Sequence, residues 1–169
     1  MGEARALRRR FEIWIVLALV ALDQATKALV VRHLALHESV PLVPGLLDLT
    51  HVRNTGAAFG VLNAVDFPYK AVVITALALA ALAAIVGFAG RLASESLLAR
   101  AGFTLVVAGA LGNLIDRARQ GYVVDFVDVY WRGWHFWAFN VADSAITVGA
   151  AAIILDLLLS GRRHASQAV

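Results

Sequence analysis

Four stretches of this chain are long and apolar enough to cross a bilayer, and two of the acids that accompany them stand where hydrocarbon should tolerate none. The stretches run from Ile13 to Val31, Tyr69 to Ala89, Leu97 to Ile115 and Asn140 to Leu159, and about 20 residues at about 1.5 Å each cross roughly 30 Å of hydrocarbon. Asp143 opens the last of them, in FNVADSAITVGAAAIILDLLL, and Asp125 lies shortly before it in the apolar segment GYVVDFVDV. A carboxylate at membrane depth is costly, so intramembrane acids are presumed functional and usually have a partner. Two at similar depth point to a dyad that shares a proton.

Composition agrees with the spans. Hydrophobic residues fill 60% of the 169 positions and charged ones 16%, whereas a soluble domain is about half apolar and about a quarter charged. The chain reads as one integral membrane domain over 1–169. Its net charge of +3 comes mostly from Arg beside apolar runs, where it orients a protein in the bilayer. With no basic face and no aromatic binding motif, nucleic acid is not an expected partner. The absence of Cys removes disulfides, thiol nucleophiles and thiolate metal sites.

The first stretch has the look of a signal peptide, with Arg8, Arg9 and Arg10 ahead of an apolar core. That core is long, contains Asp23, Gln24 and Lys27, and ends without a small-x-small cleavage pattern, so it reads as a retained span. Four spans place both termini and the short second connection on one side. Arg5, Arg8, Arg9, Arg10, Arg91, Arg100, Arg162 and Arg163 share that side, against Arg53, Arg117, Arg119 and Arg132 on the other, with Arg32 at the border. The positive-inside rule then makes both termini cytoplasmic and the connections 33–68 and 116–139 extracytoplasmic.

Those two connections carry structure of their own. LLDLTHV alternates with a period near two, Asn54-Thr55-Gly56 supplies turn chemistry, and Tyr122 to Val129 is rich in β-branched and aromatic residues that can pair with the first segment. A small extracytoplasmic sheet lying on the bilayer is expected. YWRGWHFWAF, from Tyr130 to Phe139, then gathers three of the four Trp residues into an interfacial aromatic belt. This puts Asp143 about one helical turn below the outer surface.

Each polar residue also has a plainer reading. Asn140 is a natural helix N-cap, and an acid at Asp143 suits a helix N-terminus. Asp23 and Lys27, four apart, share a helix face and are expected to form an ion pair. Asn113, Asp116 and Arg117 crowd the outer end of the third span; Asp116 beside Arg117 is expected to be charge-compensated and so a poor proton-sharing partner. Asp128, three residues beyond Asp125 in a strand, points to the opposite face and is expected to be a solvated surface acid. Asp156 reads as an interfacial salt-bridge partner of Arg162 and Arg163. Ala108, Gly109, Ala110 and Gly112 are small residues that let helices approach closely in lipid.

What is missing narrows the chemistry. There is no HExxH, and His33, His37, His51, His135 and His164 are scattered without ligand spacing, so no metal site and no cofactor are expected. No G-x-S-x-G turn is present. Acid–base work by carboxylates on water remains, since two carboxyl groups about 3 Å apart cannot both ionise and one therefore stays protonated while the other acts as base.

DQATK (23–27), RNTGAAFG (53–60), GALGNLIDR (109–117), VVDF (123–126) and FNVADSA (139–145) together resemble the sequence blocks of bacterial lipoprotein signal peptidase, signal peptidase II, in the family's order and across nearly the whole chain. The resemblance implies a mainly α, four-helix aspartyl endopeptidase of the bacterial inner membrane with a small extracytoplasmic β-cradle. It implies a prolipoprotein substrate whose cysteine already carries a diacylglyceryl group, cut just before that cysteine, and inhibition by globomycin. Block by block, Asp125 and Asp143 match the catalytic pair. Asn54, Gly56, Asn113, Arg117 and Asn140 match residues lining the substrate pocket, where the asparagine amides are expected to hold the peptide backbone. Asp23 and Lys27 match a supporting motif, and Asp116 belongs with them. Two other classes compete on the residues alone. A proton-coupled transporter would need acids stepped across the bilayer, and often an internal repeat; a noncatalytic scaffold would leave the acid pair unexplained.

Overall fold

The computed structural model describes residues 2–56, 65, 67–92 and 96–167. Ala57 to Gly60 of the RNTGAAFG block lie outside them. Four helices and four strands follow in the order α1 (Gly2–His33), β1 (Ser39–Val43), β2 (Leu47–Asn54), α2 (Lys70–Leu92), α3 (Leu97–Gln120), β3 (Val123–Trp131), β4 (Trp134–His135) and α4 (Val141–Gln167). Three helical segments, Ala6–His33, Leu97–Gln120 and Val141–Ser160, are long and apolar enough to cross a membrane, and α2 contributes a shorter apolar stretch, Lys70–Ile85. Three of the four expected spans thus fall on helices long and apolar enough to cross and the fourth on the shorter apolar stretch of α2, and the fold is mainly α, as expected.

Helix α3 is the hub, packing against α1, α2 and α4. It starts at Ser96, whose hydroxyl accepts from Ala99 N, and ends at Gly121 with φ 79°, a left-handed closure that glycine adopts without a Cβ clash. Its small residues do what their size allows in lipid. A Cβ on Gly109 would lie 2.3 Å from the Ala142 carbonyl oxygen, and one on Gly112 would lie 2.6 Å from Asp23 Oδ2. The α3–α4 and α3–α1 contacts beside the candidate site therefore exist only with glycine there.

At the far end of the bundle, Arg100 of α3 pairs with Glu12 of α1. Asp156 of α4 accepts from the Ser96 hydroxyl; the salt bridge expected with Arg162 and Arg163 falls on side chains outside the described residues.

The strands form one antiparallel meander, β1-β2-β3-β4. Both segments expected to be strands are strands and they pair. β1, carrying Pro41, and the two-residue β4 add edges the alternation did not reveal. Val124 and Phe126 on one face of β3 pack with Val30 and Leu34 at the end of α1, which ties the sheet to the bundle. Val123 and Asp125 on the other face are also buried.

One irregularity in the β2–β3 pairing decides what Asp125 meets. Leu49 stands opposite Val127, but three residues on Val52 stands opposite Asp125, so Thr50 and His51 face a single residue, Phe126. The extra residue is a β-bulge, and because strand side chains alternate faces it switches the side on which the rest of β2 presents its residues. Beyond it Asn54 pairs with Val123 and shares a face with Asp125; without it Asn54 would point away.

Trp131, Trp134 and Trp137 are all more than half exposed, in keeping with a belt at the bilayer interface.

Candidate active site

Asp125 is carried by β3 and Asp143 by the first turn of α4, and three asparagines join them. Asn140 lies between. Its Oδ1 accepts from Asp143 N at 2.9 Å, while the Asp143 carboxylate reaches back to accept from Asn140 N at 3.2 Å. This reciprocal arrangement is a capping box built from Asn and Asp, so the capping reading of both residues holds. The other end of the Asn140 amide donates to Asp125 Oδ1 at 2.7 Å, so the cap also links the two acids.

The remaining oxygens are claimed by the other two amides. Asn54 Nδ2 donates to Asp125 Oδ2 at 3.0 Å, and Asn113 Nδ2 donates to Asp143 Oδ1 at 2.8 Å. Every one of the four carboxylate oxygens therefore meets one N–H. The sequence led to an expectation that these amides lie along a bound peptide; in the structure each donates to a carboxylate of the pair. Asn54 is itself oriented by Gly56 N, which donates to its Oδ1 at 3.0 Å. Arg117 closes the turn by donating to the Gly56 carbonyl at 3.1 Å.

Asp125 is only 2% exposed, whereas Asp143 is half-buried. Burial pushes the Asp125 carboxyl up to about 7, the charge of Asp143 adding to the effect and the Asn54 and Asn140 amides, with Lys27, opposing it. Such a group holds or releases a proton near neutrality.

Behind the asparagines lies an ion cluster. Lys27 Nζ is 2.8 Å from Asp23 Oδ2, 2.9 Å from Asp116 Oδ2 and 3.0 Å from Asn113 Oδ1. Asp23 accepts from Ala142 N at 3.0 Å, fixing the first turn of α4. Asp116 accepts from Val124 N at 3.2 Å, fixing the strand beside Asp125. The Asp23–Lys27 pair is as expected, but Asp116 is compensated by Lys27 and not by Arg117. The helix continues to Gln120, and consecutive helical residues do not face each other.

Asp128 also departs from expectation. It pairs with His135 at 2.8 Å and its side chain is 17% exposed, so it is a half-buried strand partner and not a freely solvated acid; it does lie on the opposite face of β3 from Asp125.

Sequence reasoning passed over Gln24. Its Nε2 donates to Asp116 Oδ1 at 2.8 Å and to the Gly112 carbonyl at 3.2 Å, bracing the acids around Lys27. The signal was there, a polar residue inside an apolar span between Asp23 and Lys27. Among the described residues, no three His, Asp or Glu side chains are grouped so as to hold a metal ion.

A family model described as Signal peptidase (SPase) II matches residues 15–159. The chain is 48% identical over 156 residues to the lipoprotein signal peptidase of Geobacter metallireducens, covering 92% of this chain and 94% of that one. It is 46% identical over 151 residues to that of Geobacter sulfurreducens, covering 89% and 93%. Two solved bacterial membrane enzymes share the fold, one with a TM-score of 0.79 and 36% identity over 89% of each chain. The other has a TM-score of 0.78 and 34% identity, covering 88% of this chain and 92% of that one. With spans, sheet and acid pair so arranged, and relatives matched over most of its length, the chain belongs to the signal peptidase II family of membrane peptidases.

Proposed function

We propose that this protein is an intramembrane aspartyl endopeptidase that removes signal peptides from diacylglyceryl-modified prolipoproteins, cutting before the lipidated cysteine. The observation that carries the reading is the pair Asp125 and Asp143, coupled through Asn140, with each carboxylate oxygen facing one N–H. Support for the substrate class comes from the family and from depth. A diacylglyceryl cysteine keeps its acyl chains in the outer leaflet, so its scissile bond lies near the headgroup boundary, where the aromatic belt sets the start of α4.

In this mechanism one aspartate takes a proton from water as the water attacks the scissile carbonyl. The other protonates the carbonyl oxygen; as the C–N bond breaks, the first passes the proton taken from water to the leaving amine and the second recovers its own from a hydroxyl of the tetrahedral intermediate, so that water is consumed and the dyad regains its shared proton. Asn54, Asn113 and Asn140 hold the acids in register. The half-buried Asp143 and Arg117, beside the buried Gly56, would meet an entering peptide, and globomycin would occupy the same place. The reading takes 1–169 as one membrane domain with α2 as the fourth span. It sets the protein in the bacterial inner membrane with both termini cytoplasmic and the sheet outside. It is tested by purified Asp125→Asn and Asp143→Asn variants, each of which should be folded and inactive on a lipidated prolipoprotein; activity in either would reject the dyad.

A further inference from the structure

An asparagine amide can turn either end to a carboxylate, and only the nitrogen end holds an ionised one. In this site each of the three asparagines has its oxygen claimed by a group that can donate but not accept. For Asn54 that group is Gly56 N, for Asn140 it is Asp143 N, and for Asn113 it is the Lys27 ammonium. Two of the three are backbone. The third is a side chain, Lys27, the nearest donor to Asn113 Oδ1.

We propose that Lys27 is a positioning residue for the dyad: by donating to Asn113 Oδ1 it turns the Asn113 nitrogen onto Asp143 and keeps Asp143 the ionised base, with the shared proton on Asp125. This rests on the aspartyl reading above and deepens it.

The geometry restricts the alternatives. A flipped Asn113 would set its amide protons against an ammonium 3.0 Å away, an arrangement with no acceptor. The other donor near Asn113 Oδ1 is Asn140 Nδ2 at 3.3 Å, and that nitrogen makes its closest contact with Asp125 at 2.7 Å. Lys27 is 3% exposed and Asn113 7%, so neither finds a substitute partner in solvent.

The charged groups around Asp143 are Lys27 and Asp23 from α1, Arg117 from α3 and Asp125 from β3. Asp143 also sits in the first turn of α4, where the helix dipole favours an anion. Asp125 is 2% exposed and has no helix terminus of its own, so burial disfavours its charge more than that of the half-buried Asp143.

Removing Lys27 alone would strand Asp23 and Asp116 together, so the decisive variant conserves charge. Asp23, Lys27 and Asp116 sum to one negative charge, and so do the positions after Lys27→Met combined with Asp116→Asn. Lys27→Met and this double variant are purified in detergent, their melting recorded, and cleavage of a synthetic diacylglyceryl-modified prolipoprotein peptide followed from acid to alkaline pH. The expected result is a folded double variant whose kcat falls about a hundredfold with KM nearly unchanged. The acid limb of its profile moves to higher pH by about one unit, because the ionised dyad has lost its oriented donor while the net charge of the cluster is unchanged. A folded double variant with an unshifted profile and full kcat would overturn the proposal. So would failure of both variants to fold, which would make Lys27 a structural residue only. Asp125→Asn and Asp143→Asn are measured alongside. If either stays active the dyad reading falls and this one with it, whereas two inactive aspartate variants beside unaffected Lys27 variants would remove the positioning role alone.

Discussion

Asn140 and Asp143 hold each other reciprocally, side chain to backbone in both directions, at 2.9 and 3.2 Å. A device that ordinarily only starts a helix here also aims a carboxylate. The same Asn140 amide reaches Asp125, so the geometry of the acid pair is inherited from the start of α4.

Replacing Asn140 by Ala should therefore do more than remove a cap. Loss of a cap costs about 1 kcal/mol of stability, and a misaligned acid pair loses about a hundredfold in rate. Asn140→Ser, which can cap but cannot reach Asp125, should recover melting temperature without recovering activity. Full activity in Asn140→Ser would separate the cap from the dyad and contradict this view.

The bulge in β2 makes a sharper prediction. Deleting Thr50 restores regular pairing with β3 and turns Asn54 to the face away from Asp125. Cleavage should fall to background while helical content by circular dichroism is retained. An active deletion variant would show that Asn54 is not needed at Asp125.

The acid pair was legible because an apolar sequence makes any unexplained carboxylate conspicuous, and the structure brings the two together through Asn140. The bulge was not, since an extra residue in LLDLTHV leaves the visible alternation nearly intact. Nor was the partner of Asp116. A salt bridge to the adjacent Arg117 looks natural in a loop and is impossible to face along a helix, and the apolar run gave no sign that α3 continues past Ile115. Gln24 was hidden by its neighbours, because Asp23 and Lys27 already accounted for one another. The edge strand β1 has five exposed residues and no inward face to betray it.

Close packing at Gly112 should be measurable against an open glycine. Gly112→Ala would set a methyl 2.6 Å from Asp23 Oδ2, whereas at Gly87 a Cβ meets nothing within 4 Å. The first should lower stability by about 1–3 kcal/mol and the second raise it by up to about 1 kcal/mol. Equal melting temperatures for the two variants would contradict the contact.

Stability should also depend on pH through Asp125. Its carboxyl sits near 7 when folded against an ordinary value of 3.8, so between those values the folded chain holds a proton that the unfolded chain has released. Stability must then fall as pH rises through this window. Asp125→Asn removes the group, so its melting temperature should match the parent at pH below the window and exceed it above. A parent that melts lower than the variant at acid pH and higher at alkaline pH would reverse the sign and refute the burial argument.

Chelators should leave activity intact, since a water held between two aspartates needs no Lewis acid. Loss of cleavage on adding a chelator, with recovery on adding zinc, would contradict the dyad mechanism.

The most direct measurement is mass analysis of the products formed when purified protein meets a diacylglyceryl-modified prolipoprotein. Parent protein and the Asp125→Asn, Asp143→Asn and Asp128→Asn variants are run side by side. The expected result is one cut, immediately before the lipidated cysteine, made by the parent and largely retained in Asp128→Asn but absent from the other two. A cut at another bond, or cleavage that persists without Asp125 or Asp143, would contradict the account.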